Sequence, residues 1–191
     1  MTKQEIRNQI KSQFLEQKEL DTKSNIICQK IINSTYYKQA DILFSYMSLN
    51  DEVNLENVMK DAFSYGKKVF IPKVDVEKNN MDFYEYYGEK KETESGYCNI
   101  SEPCKSALRV DLEAIKEKSI LFLVPGRAFT NEGARVGRGK GFYDKYFSRF
   151  FSVVEKENVK IAGVCFDFQI VENLELCEWD VIMDEVFSEV R

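Results

Sequence analysis

The chain has 191 residues, of which 43% are hydrophobic and 31% charged, and this composition is typical of a globular protein with a substantial core. It contains no histidine, which excludes Ser-His-Asp and Cys-His catalysis, histidine metal sites and imidazole acid–base chemistry. Its 27 basic and 32 acidic residues give a formal net charge of −5, which disfavours binding to duplex nucleic acid.

The cysteines are odd in number and none are spaced as C-x-x-C, so a zinc site and a disulfide framework are both disfavoured. They are Cys28, Cys98, Cys104, Cys165 and Cys177. We expect reduced and mostly buried thiols. The N-terminus is polar, and no run approaches the ~20 apolar residues of a membrane span, so we predict a cytoplasmic protein without a signal peptide.

Helical and strand patterns alternate along the chain. Thr2 and Glu5 make a capping-box pattern, and Ile6, Ile10 and Phe14 continue it as an apolar stripe, which predicts a first helix. The next predicted elements are a helix around 26–31, a buried strand at 41–47, a helix at 55–63 ending near Gly66, and strands at 68–72 and 81–87. An irregular surface excursion is predicted at 88–109, then a buried strand at 120–124, a helix at 143–154, a strand at 161–166 and a strand near Val186.

This alternation predicts an α/β fold: a single three-layer domain over residues 1–191, with a mostly parallel central sheet flanked by helices.

Glycine is concentrated in one window. Five of the nine glycines fall between residues 126 and 141, directly after the predicted strand at 120–124. Glycine permits positive φ and close approach to a ligand, successive N–H groups can bind an anion, and Arg135, Arg138 and Lys140 add positive charge. The window therefore predicts a phosphate-binding loop, with a flexible basic surface loop as the alternative. It matches neither the Walker pattern nor G-x-G-x-x-G.

Two cations near the N-terminus form a second candidate. Lys3 and Arg7 are four residues apart, so they share one face of the predicted first helix. Together they can clamp a phosphate group, although a solvated charged face has the same pattern.

Three acidic residues follow predicted strands or loops. Asp144 lies just past the glycine window and can hold a divalent cation against phosphate, and Asp180 can join it, although a surface turn also suits Asp180. Glu52 follows the strand at 41–47 and can accept hydrogen bonds from an amine-bearing ring, or belong to an acid-rich helix N-terminus. The aromatic stretch at 83–87 can stack on a flat ligand or form a half-buried strand.

These motifs, taken in order, resemble the 5-formyltetrahydrofolate cyclo-ligase family. The specific one is Pro125-Gly126-x-Ala128-Phe129 followed by Gly133-x-Arg135-x-Gly137-Arg138-Gly139-Lys140-Gly141-Phe142-Tyr143-Asp144. The supporting ones are Lys3-x-x-x-Arg7, Tyr46-Met47-Ser48-x-x-x-Glu52, Ile100-x-Glu102-Pro103 and Asp180-x-x-x-Asp184.

The resemblance implies an enzyme that uses ATP and Mg²⁺ to convert 5-formyltetrahydrofolate into 5,10-methenyltetrahydrofolate, ADP and phosphate, through a phosphorylated formyl group. It assigns ATP binding to Lys3, Arg7, Arg135, Gly137, Arg138, Gly139, Lys140, Gly141, Phe142 and Tyr143. It assigns folate binding to Met47, Glu52, Arg138, Gly139, Lys140, Gly141 and Phe142, and Mg²⁺ to Asp144 and Asp180. The expected partners are these two small molecules, with no nucleic acid and no membrane, and a monomer is expected.

The sequence departs from the family pattern at a few positions. Arg127 and Thr130 replace an apolar residue and an aspartate, Phe142 replaces a tyrosine, and Glu175 and Trp179 replace a proline and a histidine. Two alternatives stay open: a non-catalytic folate- or nucleotide-binding protein on the same fold, and another phosphate-handling enzyme such as a sugar-phosphate isomerase or a kinase.

Overall fold

The computed structural model describes residues 1–89, 92–96, 101–177 and 179–190. Two residues named above, Cys98 and Ile100, lie outside the described residues. Within those ranges, no helix combines the length and apolarity that crossing a membrane requires.

Helices and strands alternate, as the sequence pattern predicts. The helices are α1 (Lys3–Phe14), α2 (Leu20–Asn33), α3 (Thr35–Gln39), α4 (Glu56–Ser64), α5 (Leu112–Ile115) and α6 (Phe142–Phe150). The strands are β1 (Ile42–Phe44), β2 (Lys68–Asp75), β3 (Asn80–Tyr86), β4 (Thr93–Ser95), β5 (Ser101–Pro103), β6 (Ile120–Pro125), β7 (Ala128–Phe129), β8 (Arg135–Val136), β9 (Val159–Val164) and β10 (Glu185–Phe187).

One six-stranded sheet runs in the order β10-β9-β6-β1-β2-β3. Its neighbouring strands are parallel except for the antiparallel pair β2 and β3. The predicted α/β fold with a mostly parallel central sheet is confirmed.

The central strands are apolar throughout because both faces of the sheet are covered. In β1, Leu43 packs in the cluster that contains residues of α2, α3 and α4, whereas Phe44 packs in the cluster that contains α5 and α6. The rings of Phe44 and Phe122 stack with centroids 4.2 Å apart. Each such fully buried side chain stabilises the fold by about 1.5–3 kcal/mol, so these two clusters fix the sheet between its helical layers.

The structure also differs from the predicted elements. The segment 88–109 contains an antiparallel ribbon of β4 and β5, where an irregular excursion was expected. The predicted strand at 41–47 keeps only three residues as β1, and the predicted helix at 143–154 begins at Phe142 and ends at Phe150. Helices α3 and α5 were not predicted, because helices of five and four residues are too short for an apolar repeat.

Helix α1 packs against the glycine window. Its capping box is formed as predicted, with the Thr2 and Glu5 side chains each accepting a hydrogen bond from the other's backbone N–H. Ile6 and Ile10 bury their side chains in a small cluster with one residue each of β7 and β8. The N-terminal helix is thereby held against the glycine window, since β7 and β8 form a two-stranded ribbon inside that window.

Candidate functional site

A cleft of about 370 Å³ lies where β1 and β6 end. Parallel strands place their carboxyl ends at one edge of a sheet, so the loops after β1 and β6 meet there. The cleft is lined by the predicted residues Arg7, Met47, Glu52, Arg135, Gly137, Arg138, Gly139, Lys140, Gly141, Phe142, Tyr143, Asp144 and Asp180. Lys3 is the one predicted site residue that does not line it, although Lys3 contacts Asp180.

The glycine window turns into α6 at the cleft. Gly139 and Gly141 have φ of +103° and +67°, in the left-handed region that glycine adopts without steric cost. The turn directs the N-terminus of α6 to the cleft, which Gly141, Phe142 and Tyr143 line. The first N–H groups of a helix carry partial positive charge and lack partners within the helix, so this end of α6 favours an anion.

Arg135 is buried beneath the window, with only 6% of its side chain exposed. Its Nη2 lies 3.2 Å from Asp144 Oδ1, and its Nη1 donates to the Pro125 carbonyl at 3.3 Å. The guanidinium also lies over the Tyr143 ring, 5.3 Å from its centroid. Its buried Nε has no hydrogen-bond partner in the described part of the chain. Arg135 therefore fixes Asp144 in the first turn of α6, and its buried Nε stays unpaired within the described ranges.

Arg138 spans from the glycine window to the loop after β1. Its Nε and Nη2 donate to Glu52 Oε1 at 3.1 and 2.9 Å, and its Nη2 also donates to Asp51 Oδ1 at 2.5 Å. Asp51 Oδ2 accepts a further hydrogen bond from Arg127 Nη1 at 2.5 Å. Burial disfavours the ionised form of Asp51, but hydrogen bonds from Arg138 and Arg127 outweigh it and lower the pKa of Asp51. The glycine window and the loop after β1 are thus joined by a row of ion pairs in which basic and acidic side chains alternate.

The two N-terminal cations contact the rim of the same cleft, so they are not a solvated face. Arg7 Nε donates to the Gly137 carbonyl at 2.8 Å, and Lys3 Nζ lies 2.6 Å from Asp180 Oδ2. The backbone N–H of Cys177 donates to the same Asp180 oxygen at 2.8 Å. Burial opposes ionisation of Asp180, yet these contacts with Cys177 and Lys3 leave its pKa below the usual value.

The donors available for a metal ion suit Mg²⁺ bound together with phosphate. Asp144 and Asp180 line the same cleft, and no group of three or more Cys, Asp or Glu side chains placed to hold a metal occurs among the described residues. Magnesium is commonly bound by one or two protein carboxylates, with its other ligands coming from water and substrate phosphates. The two carboxylates fit that pattern.

Asp51, Glu102 and Trp179 lie in or next to the cleft, and none of them was among the predicted site residues. Asp51 contacts Arg138, as described above. Glu102 belongs to a motif that carried no assigned role, yet it is buried, lines the cleft and accepts a hydrogen bond from the Val74 N–H at 3.3 Å. Trp179 lines the cleft with 73% of its surface exposed. The sequence signal that could have found them is that each lies in or next to a quoted motif. Hydrophobic periodicity could not have found them, because they lie in polar segments without an apolar repeat.

The aromatic stretch at 83–87 belongs largely to strand β3. Phe83 is buried against Phe44, with ring centroids 5.0 Å apart, and Tyr86 is buried in the core on the other face. Among the described residues of β3, only Met81 lines the cleft. The stretch therefore forms a half-buried strand and does not stack on a ligand in the cleft.

Comparisons with known proteins agree with the motifs. The sequence pattern of the 5-formyltetrahydrofolate cyclo-ligase family matches residues 1–189. A mouse protein named 5-formyltetrahydrofolate cyclo-ligase is 31% identical over 170 residues, which cover 87% of this chain and 82% of the relative. A Caenorhabditis elegans protein named a probable 5-formyltetrahydrofolate cyclo-ligase is 27% identical over 196 residues, which cover 98% of this chain and 92% of the relative.

Solved structures show the same fold. The NMR structure of Aquifex aeolicus 5,10-methenyltetrahydrofolate synthetase superimposes with a TM-score of 0.78 at 26% identity, covering 100% of this chain and 91% of that one. The synthetase from Mycoplasma pneumoniae superimposes with a TM-score of 0.75 at 19% identity, covering 99% of each chain. The family match over residues 1–189 and the mouse relative settle the assignment: the chain belongs to the 5-formyltetrahydrofolate cyclo-ligase family.

Proposed function

We propose that the protein catalyses the ATP- and Mg²⁺-dependent conversion of 5-formyltetrahydrofolate into 5,10-methenyltetrahydrofolate, with release of ADP and phosphate. The observation that carries this proposal is the single cleft in which the glycine window and Arg138 face Glu52. The family membership and the names of the mouse and Aquifex aeolicus relatives support the reaction.

The nucleotide phosphates would lie against the glycine window. The backbone N–H groups at the start of α6 supply partial positive charge, and Arg138 and Lys140 supply full charges beside them. Arg7 and Lys3 approach from α1 and complete a cationic rim. Phosphoryl transfer needs mainly positioning and charge stabilisation, so a chain without histidine is chemically adequate for it.

Asp144 and Asp180 would hold Mg²⁺ against the phosphates. When bound, the ion neutralises charge that develops on the phosphoryl oxygens. Arg135 keeps the Asp144 carboxylate turned toward the cleft, and Lys3 and the Cys177 N–H do the same for Asp180.

The folate would lie between the loop after β1 and the apolar side of the cleft. Met47 offers an apolar contact, and the Glu52 carboxylate, which binds Arg138 through Oε1, keeps acceptor capacity for hydrogen bonds from ring amine groups. The formyl oxygen attacks the γ-phosphorus and ADP leaves. The nitrogen at position 10 then attacks the activated carbon and loses its proton, and phosphate departs with the former formyl oxygen as the ring closes.

An absorbance assay tests the reaction directly. Purified protein is mixed with 5-formyltetrahydrofolate, ATP and Mg²⁺, and the near-ultraviolet absorbance of the methenyl product is followed. We expect growth of this absorbance that depends on ATP and stops when Mg²⁺ is chelated. A flat trace from folded protein that still binds both ligands by calorimetry would contradict the proposal and favour a non-catalytic binding protein.

We further propose that residues 1–191 act as one domain, as a monomer, in the cytoplasm. A plant relative is named a mitochondrial enzyme, so the compartment needs its own test by imaging a tagged protein. Light scattering during size exclusion tests the monomer, and a mass of about twice 22.3 kDa would contradict it.

A further inference from the structure

Asp51 is shared by two arginine residues that lie on opposite sides of it. Its Oδ1 accepts from Arg138 Nη2 and its Oδ2 from Arg127 Nη1, each at 2.5 Å. Arg138 is the cleft residue that also binds Glu52. Arg127 does not line the cleft. Among the described residues, Asp51 is the only one whose side chain accepts hydrogen bonds from both Arg127 and Arg138.

Arg127 is held firmly in place. Its backbone N–H donates to the Val136 carbonyl at 2.7 Å, and its own carbonyl accepts from the Nε2 of buried Gln169 at 3.0 Å. Only 14% of its side chain is exposed, compared with 37% for Arg138. Arg127 is thus a fixed charge at the end of β6, whereas Arg138 is the more exposed of the two.

We propose that Arg127 is a positioning residue for the nucleotide: by sharing Asp51, it weakens the hold of the carboxylates on Arg138 and lets Arg138 exchange them for phosphate. This inference rests on the proposed function, because it takes the anion at the glycine window to be the phosphates of ATP.

Electrostatics gives the direction of the effect. Two guanidinium groups on one carboxylate repel each other, so each is bound less tightly than it would be alone. Arg127, Asp51, Arg138 and Glu52 sum to zero charge, but without Arg127 the group carries a net charge of −1. That extra negative charge would hold Arg138 on the carboxylates and would also repel the incoming phosphates.

The decisive variant is Arg127→Leu, because it keeps the aliphatic bulk and removes the charge. We expect the KM for ATP to rise by about 5- to 20-fold, while kcat and the KM for the folate change by less than about twofold. Arg127→Lys keeps the charge with a single donor group, so its KM for ATP should lie between those of wild type and Arg127→Leu.

A double variant separates positioning from a general loss of structure. In Arg127→Leu combined with Asp51→Asn, the charge sum returns to zero, and we expect the KM for ATP to return to within about twofold of wild type. A purely structural role predicts additive damage from the two substitutions. Unfolding temperatures of all variants are measured alongside.

The chain offers a matched control in a second carboxylate shared by two arginines. Asp82 Oδ1 accepts from Arg109 at 2.9 Å and from Arg149 at 3.2 Å, and neither Arg109 nor Asp82 lines the cleft. Arg109→Leu should leave both KM values unchanged. If Arg127→Leu behaves like this control, or raises both KM values alike, the inference is wrong.

The test distinguishes this inference from the proposed function. Calorimetric titration with ATP and Mg²⁺ in the absence of folate measures nucleotide binding without turnover. Wild-type turnover with equal ATP affinity in wild type and Arg127→Leu would overturn the inference alone. Weaker ATP binding by Arg127→Leu, in a protein that forms no product, would support the inference and overturn the proposed reaction. A wild-type protein that binds no ATP would overturn both.

Discussion

Lys3 and Asp180 form an ion pair with 2.6 Å between Nζ and Oδ2, although 177 residues separate them in the sequence. The pair joins the first turn of α1 to the segment that precedes β10, at one side of the cleft. Both side chains are partly buried, so solvent screens this pair less than it screens a fully exposed one.

Replacing Lys3 by methionine should weaken ATP binding. The substitution leaves Asp180 without its ammonium partner and adds uncompensated negative charge beside the proposed phosphate site. We expect the KM for ATP to rise by about 3- to 10-fold with the fold intact. Lys11→Met, on the same helix but exposed, is the control, and equal KM values in the two variants would contradict the expectation.

Replacing Asp144 by asparagine should change the requirement for magnesium. The amide keeps the shape of the side chain but removes the charge that a divalent cation needs. We expect the Mg²⁺ concentration for half-maximal turnover to rise by about tenfold or more. A Mg²⁺ titration of turnover checks this, with Asp21→Asn, at an exposed position of α2, as control. Unchanged magnesium dependence would remove Asp144 from the metal site.

The central sheet and the site loops could be predicted from the sequence because their causes are local. The five residues 120–124 of β6 are all buried, so the strand appears as an unbroken apolar run. The capping box at Thr2 and Glu5 marks the start of α1, and it needs only four residues to form. The concentration of glycine at 126–141 similarly marks the loop that borders the cleft.

Other features depend on contacts between distant segments and have no local signal. Asp51 and Arg127 are 76 residues apart, and nothing in either segment indicates that they pair. Glu102 lies in a polar segment, so nothing local predicts its burial, which accompanies the pairing of β5 with β4 and the contact with Val74. The sequence likewise does not predict the proposed exchange of Arg138 between carboxylates and phosphate, because Arg138 and Asp51 are 87 residues apart.

Substitutions of Arg135 and Arg138 should differ in how much they lower the free energy of unfolding. Arg135→Met leaves the Asp144 carboxylate partly buried without its partner, so we expect a loss of about 3 kcal/mol in the free energy of unfolding, together with lost activity. Arg138→Ala removes a more exposed side chain and leaves Asp51 paired with Arg127, so it should lower ATP use with a smaller loss of stability, about 1–2 kcal/mol, from the unpaired Glu52. Urea unfolding and ATP titrations of both variants check this, and equal stability losses would contradict it.

Gly133 should tolerate alanine much less well than Gly66. Both have positive φ, +89° and +69°, so both substitutions cost about 1 kcal/mol in backbone strain. At Gly133 an added Cβ would also lie 2.2 Å from the Met183 carbonyl oxygen, whereas at Gly66 nothing lies within 4 Å. Thermal unfolding should therefore show a loss for Gly133→Ala at least twice that for Gly66→Ala. Similar losses would mean that the segment around Met183 moves aside easily.

The buried Cys28 thiol should make stability depend on pH in the alkaline range. Burial raises the pKa of Cys28 from 9.0 to about 11, although a backbone hydrogen bond from Val58 opposes the shift. Because the pKa is raised in the folded state, the contribution of the Cys28 thiol to the free energy of unfolding is complete below the unfolded pKa. It is lost as pH rises through about 11. The stability difference between wild type and Cys28→Ala should therefore shrink by about 2 kcal/mol between pH 8 and 11. Urea unfolding of both proteins at each pH checks this, since other alkaline groups are common to both, and a constant difference would show that the thiol ionises normally when folded.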